Sequence, residues 1–298
     1  MLLCLGEALV DLVGEAWVTG MSEVSSFVPH LGGTVANVAV AAARAGAPVA
    51  LAGGAGDDEW GRWLTDRLAA EGVDVGRFVL LPEVNTQLAF VAVAPGGEPR
   101  YALYGERVES VGAALSDGGA RDGVAGASAV LINSNSLVGV QERAATMRAR
   151  ALALELGRPV VFDCNLRLHR WGSREEAVAA ARACVPSAAL VRANREEAEV
   201  LAGEPDPERA AEALCAAGAD LVAITLGSDG AILRGARRAD VAAVPAEVRS
   251  TMGAGDAFTG VLTARLVLAG FDPSAAAAAL EEAAEGAARA CEHWGSLD

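Results

Sequence analysis

The chain has 298 residues, 52% hydrophobic and 21% charged, enough to bury a substantial core in one large domain or two smaller ones. Its formal net charge of -15 argues against nonspecific binding to nucleic acid or to an anionic membrane surface, so any anionic ligand has to be held by local geometry. There is no lysine, which excludes a P-loop and the protein-kinase fold, since both need a lysine on the nucleotide phosphates.

The amino end, MLLCLGEALVDLV, reads as one strand bent around Gly6, with Asp11 near its end. It has no basic leader and carries Glu7 and Asp11, which argues against a signal peptide. Short strands and turns follow as far as Gly32 and Gly33, then a helix over 35–45 that stops at Gly46 with Pro48 beyond. PVALAGGAG is a strand entering a glycine turn. DDEWGRWLTDRLAAEG is an amphipathic helix capped by Asp57 or Asp58. TQLAFVAVAP and EPRYALYG, joined through Gly96 and Gly97, form the clearest hairpin, a flap standing apart from the surrounding rhythm.

After Val111 strands and helices alternate. ASAVLINS, PVVFDCN, AALVRAN and LVAITLG are strands. Helices lie around ERAATMRARALALELG, over 174–184, in REEAEVLAG and in PERAAEALCAAG. That alternation predicts a doubly wound α/β sheet, with AILRG and ADVAAVP as an antiparallel edge. DAFTGVLTARLVLAG and the Ala-rich segment after Pro273 are helical, and no run resembles a membrane span. The five cysteines are scattered and read as reduced thiols of a cytosolic protein. The three histidines do not cluster, which argues against zinc. The dinucleotide fingerprint fails after Gly54 and Gly56, and again after Gly253 and Gly255.

In an open α/β sheet ligands bind beyond the carboxyl ends of the strands. Four polar segments fall there: Asp163 to Arg167, Asn194 to Glu197, Thr225 to Gly230, and STMGAGDAFTG from Ser250. In the last, Gly253, Ala254 and Gly255 open a helix whose free N–H groups suit a phosphate, while Asp256 either takes a proton from an attacking hydroxyl or caps the helix. Simpler readings exist for the others as well. Asn194 and the acids after it make a helix cap, Gly227 and Gly230 a hairpin turn, Asp163 and Arg167 a surface pair, and Asn37 a satisfied buried amide.

Taken together and in order, these segments resemble the PfkB, or ribokinase-like, carbohydrate kinases over nearly the whole length. The resemblance rests on GGTVANVAVAAARAGAPVALAGGAGDDEWG, DCNLRLHRW, NREEAEVLAG and STMGAGDAFTGVL. It implies a Rossmann-type layered αβα domain spanning 1–298, with a discontinuous β lid from about 12–31 and 85–107, and ATP with magnesium as cosubstrate. By position, Asp256 becomes the general base and Gly253, Ala254 and Gly255 the anion hole. Asp11, Gly32, Gly33, Asn37, Arg107 and Arg167 bind the sugar. Asn194, Glu197, Thr225, Gly227, Ser228 and Gly230 serve the nucleotide, Glu197 also holding magnesium through water. Ser250 stands where the family has an aspartate that helps bind a monovalent cation, so potassium is implied only with that ligand missing. The motifs look most like fructokinases and 2-keto-3-deoxygluconate kinases. A neutral ketose is expected because Glu106 and Glu109 flank Arg107. A silent sugar or nucleotide sensor is the rival of another class, and a homodimer through the lid is expected.

Overall fold

The computed structural model describes residues 1–105, 108–116 and 119–297. In chain order, β1 (Leu2–Leu5) and β2 (Leu9–Trp17) precede β3 (Val28–Gly32) and α1 (Thr34–Arg44). β4 (Val49–Gly56), α2 (Glu59–Ala70), β5 (Val73–Asp74) and β6 (Phe78–Leu81) follow, then β7 (Leu88–Val93), β8 (Pro99–Tyr104) and the short helices α3 (Val111–Ala114) and α4 (Gly119–Ala125). The alternating half comprises β9 (Ala129–Asn133), α5 (Val140–Glu155), β10 (Val160–Asp163), α6 (Arg174–Arg182), β11 (Leu190–Asn194), α7 (Arg195–Ala202), α8 (Pro207–Ala216) and β12 (Leu221–Thr225). β13 (Ala231–Gly235), β14 (Ala239–Val241), α9 (Ala254–Leu268) and α10 (Ala276–Cys291) complete the described chain.

The large sheet runs β14-β13-β12-β11-β10-β9-β1-β4-β5, with β6 also paired to β4. Its strands are parallel except for β13 and β14, which form the expected antiparallel edge. Successive residues of one strand feed opposite cores. Leu2 and Cys4 pack with α1, α9 and α10, while Leu3 and Leu5 pack on the other face with α5 to α8. Burial on both faces explains why these strands are continuous apolar runs. The strand order reverses between β1 and β9, so a crevice opens beyond the carboxyl ends of β1, β9, β10 and β11.

Residues 2–13 are not one bent strand. β1 belongs to the large sheet and β2 to a second sheet ordered β3-β2-β7-β8. Gly6 makes the change of sheet. Its φ is 156°, its N–H reaches Ala52 O at 3.1 Å, and a Cβ there would lie 2.6 Å from Val35 Cγ2. Asp11 accordingly sits well inside β2, opposite His30 of β3 and Ala89 of β7. Asp58, not Asp57, caps α2, accepting the Gly61 N–H at 2.8 Å.

The small sheet leans over the crevice. The β7–β8 turn closes through Gly97 N to Ala94 O at 2.9 Å. Gly97 O in turn accepts from Thr251 N at 2.7 Å and Thr251 Oγ1 at 3.2 Å. Trp17, at the end of β2, donates Nε1 to Arg249 O at 2.8 Å and meets the Trp294 ring edge-on at 5.9 Å.

Candidate active site

Two clefts meet at the start of α9. Gly253 adopts φ 75°, a left-handed conformation that suits glycine, and a Cβ there would lie 2.5 Å from Ser296 Cβ. The turn it makes sends the backbone into α9 with its first N–H groups free of intrahelical partners. One cleft, about 500 Å³, lies beneath the small sheet and is walled by Asp11, Gly33, Asn37, Arg167, Asn194, Glu197, Gly253, Gly255 and Asp256. The other, about 630 Å³, lies over β12, β13 and α10 and is walled by Thr225, Gly227, Ser228, Gly230, Ala254 and Gly255. Gly255 faces both, as do Thr251 and Arg192.

Asp256 is on the wall of the first cleft, and Asn37 Nδ2 donates to its Oδ2 at 2.9 Å. Burial pushes the Asp256 carboxyl up to about 6, while the Asn37 hydrogen bond and the Arg167 and Arg192 charges pull it down. It is therefore ionised at neutral pH yet far more basic than a surface aspartate. Asp11 is pushed further, to about 8, by burial first and the Asp256 charge second, with His30 opposing. Gly32 is not on the cleft wall. It backs Asp11, whose Oδ2 would lie 2.2 Å from a Cβ at that position. Arg107 lies outside the described residues.

Asn194 and Glu197 form a capping box at the start of α7. Asn194 Oδ1 accepts Glu197 N at 2.8 Å, and the Glu197 carboxylate accepts Asn194 N and Leu166 N, each at 2.9 Å. Both Glu197 oxygens thus already hold backbone donors. Asn165, at φ 34°, donates Nδ2 to Thr34 Oγ1 at 2.9 Å and leaves its buried Oδ1 without a partner. Asp163 pairs with Arg192, not with Arg167, at 3.3 Å, so the expected surface pair is instead a fully buried one. Gly227 and Gly230 do shape the β12–β13 turn, with Gly230 N bonded to Gly227 O at 3.2 Å, and they also face the second cleft.

The floor of that second cleft is apolar: Val244, Pro245, Ala284, Ala287 and Ala288 contribute to it. An apolar slot ending at free helix N–H groups suits a molecule with a flat ring at one end and phosphates at the other. The model of the pfkB family carbohydrate kinases matches residues 1–292. The chain belongs to that family. This pfkB kinase is 36% identical over 273 residues to fructokinase-1 of Oryza sativa subsp. japonica, covering 90% of this chain and 83% of the relative. It is 30% identical over 276 residues to the 5-dehydro-2-deoxygluconokinase of Shouchella clausii (strain KSM-K16), covering 91% and 84%. The fructokinase of Vibrio cholerae O395, solved with fructose, ADP and calcium ion, superposes with a TM-score of 0.85 at 27% identity, covering 99% and 94%.

Sequence reasoning missed several residues of the first cleft in this pfkB kinase. Glu7 lies between β1 and β2 and is paired with Arg170 at 3.6 Å, while Tyr101 and Leu103 reach in from β8. Arg192 is the most informative omission. LVRAN is a strand buried on both faces, and a charge inside such a run is the kind of exception that needs a partner and a purpose.

Proposed function

We propose that this carbohydrate kinase transfers the γ-phosphoryl group of ATP to a hydroxyl of fructose or a closely related neutral ketose. The observation that carries the reading is the meeting of the two clefts at Gly255, next to Asp256 on the wall of the first. ATP lies in the apolar cleft past Thr225, Gly227, Ser228 and Gly230, with its terminal phosphate on the N–H groups of the turn from Gly253 to Gly255. The sugar lies in the other cleft, its hydroxyls bonded by Asp11, its ring close to the backbone at Gly33. Asp256 accepts the hydroxyl proton as the new phosphorus–oxygen bond forms. Asn37 orients Asp256 through their 2.9 Å bond in addition to facing the sugar.

Magnesium fits this site as a companion of the nucleotide. The unpartnered Asn165 Oδ1 and the Glu197 carboxylate offer oxygens to its water shell. Among the described residues no group of three or more His, Cys, Asp or Glu side chains could hold a metal alone. The phosphates therefore carry the ion, which when bound neutralises the charge on the transferred group. Potassium does not fit in the same way. The hydroxyl of buried Ser250 accepts Met252 N at 3.1 Å and brings no negative charge to the turn.

Charge supports a neutral sugar over an acid one. The carboxylates of Glu7, Glu98, Glu197 and Asp256 line the cleft against the guanidiniums of Arg167, Arg170 and Arg192. Arg167 is the observation favouring a sugar acid, because it is exposed beside Asp256. The small sheet acts as the lid, and its edge strands β3 and β8 form the contact of a homodimer, since β8 exposes Tyr104 at 59% and β3 exposes Val28 at 38%. No helix of the described chain is long and apolar enough to cross a membrane, and the free cysteines suit a cytosolic setting.

The test is ADP release with ATP and magnesium across neutral sugars, sugar acids and nucleosides, with Asp256→Asn as control. Rapid turnover of fructose that the variant abolishes supports the reading. Preference for 2-keto-3-deoxygluconate transfers the substrate role to Arg167. A folded protein that binds sugar without turnover in either form is a sensor.

A further inference from the structure

Arg192 is 5% exposed in the middle of β11. Its guanidinium separates the two clefts and faces both. Nη1 reaches Asp163 Oδ1 at 3.3 Å and Nη2 donates to Thr225 Oγ1 at 2.9 Å, while Nε is buried without a partner. The group lies against the start of α9. A Cβ at Gly255 would be 2.8 Å from Nη2 and 3.1 Å from Nη1, so only glycine lets the guanidinium reach this turn. One turn further along α9 the Phe258 ring lies 6.0 Å away, within cation–π range. Asp163 serves as its tether: it is fully buried, paired with Arg192, and not part of either cleft wall.

We propose that Arg192 is a catalytic residue of the transfer step, contacting the phosphoryl group as it passes Gly255 from the nucleotide cleft to the sugar cleft, with Asp163 as its positioning residue. The proposal rests on the kinase reading and deepens it. In the step the bond from the γ-phosphorus to the β,γ-bridging oxygen breaks and the bond to the sugar oxygen forms. The hydroxyl proton goes to Asp256 and the bridging electrons stay on ADP. Arg192 gains and loses no proton. Its fixed positive charge meets the negative charge spread over the three oxygens of the moving group, where an arginine is worth most. Planar geometry suits arginine to this task better than a lysine, which the chain lacks altogether.

The alternative is that Arg192 only neutralises Asp163, Glu197 and Asp256. The two differ in what a variant loses. Arg192→Lys and Arg192→Ala are measured for kcat, KM for fructose and ATP, thermal stability, and affinity for ADP with and without aluminium fluoride and sugar. Wild-type turnover of the sugar is measured first, since its absence sinks the kinase reading before Arg192 is reached. The expected result is a fall in kcat of roughly a hundred- to a thousand-fold for Arg192→Ala, with KM changed by less than about threefold. Aluminium fluoride should then tighten ADP binding in the wild type and fail to do so in the variant, and added guanidinium should restore part of the alanine variant's rate. If Arg192→Ala does not fold, Arg192→Lys carries the same comparison. An active wild type whose folded variants keep the aluminium fluoride effect, or lose sugar and ADP affinity together with rate, overturns the proposal.

Discussion

Replacing Asn37 by leucine should move the acid side of the pH–activity profile upward. Asn37 is 3% exposed, and its Nδ2 gives Asp256 Oδ2 a hydrogen bond of 2.9 Å. Its other amide atom, Oδ1, is buried without a partner, so leucine deletes one donor and strands nothing in that amide's place. The bond favours the ionised form of Asp256, which burial otherwise disfavours. A hydrogen bond to a charged group contributes about 1.5–3 kcal/mol, and about 1.4 kcal/mol corresponds to one pH unit. The wild-type limb near pH 6 should therefore shift by about one to two pH units. The sign follows from the base being the anion: protonation at low pH removes activity, and a weaker hold on the anion makes that happen at higher pH. The assay is kcat/KM for fructose from pH 5 to 9 for both proteins, with thermal denaturation to check folding. A variant slowed by the same factor at every pH refutes the assignment of the limb to Asp256 and of Asn37 to its control.

Apo stability should fall as pH rises. Asp11, raised to about 8, contributes stability that is complete below its unfolded value near 4 and is lost through pH 8. Asp11→Asn should flatten the dependence of Tm on pH between 5 and 9 and give the higher Tm at pH 8.5. An unchanged slope would show that the carboxyl is not the source. Gly260→Ala places a methyl 2.5 Å from Ala41 Cβ and 2.7 Å from Val38 O, where α9 crosses α1. Urea unfolding should find it about 1–3 kcal/mol less stable, despite the better helix propensity of alanine; equal stability means the helices slide apart freely. Turnover in sodium, potassium and tetramethylammonium salts should be equal, because Ser250 brings no carboxylate, and a potassium-specific rise in kcat contradicts that. Light scattering after gel filtration should give twice the chain mass, and Tyr104→Glu should give one.

Much of the large sheet was legible because its strands obey simple rules. Apolar runs of four or five residues buried on two faces, separated by capped amphipathic helices, leave few arrangements. The glycine turn at 253 and the helix behind it were equally plain. What the sequence hid was long-range. That Gly6 carries the chain from one sheet to another depends on Val35 filling the space where a Cβ would be, and no local pattern encodes that contact. Asn37 meets Asp256 across 219 positions. Glu197 could be read from spacing as a cap or as a ligand, and its two backbone donors, one from distant Leu166, became visible only in three dimensions. Arg192 alone left a trace, as a charge in a buried strand.

The union of Gly97 with Thr251 has an evolutionary consequence. A Cβ at Gly97 would lie 2.6 Å from Val248 Cγ1, and the carbonyl of Gly97 receives both donors of Thr251. The tip of one hairpin and the segment leading into α9 are thus a single interlocking surface made from stretches about 150 positions apart. A change at either is felt by the other: enlarging Gly97 would require a smaller residue at 248. On the proposed reading, the hairpin that faces the sugar cleft and the turn before α9 that meets the phosphates are therefore coupled through one contact.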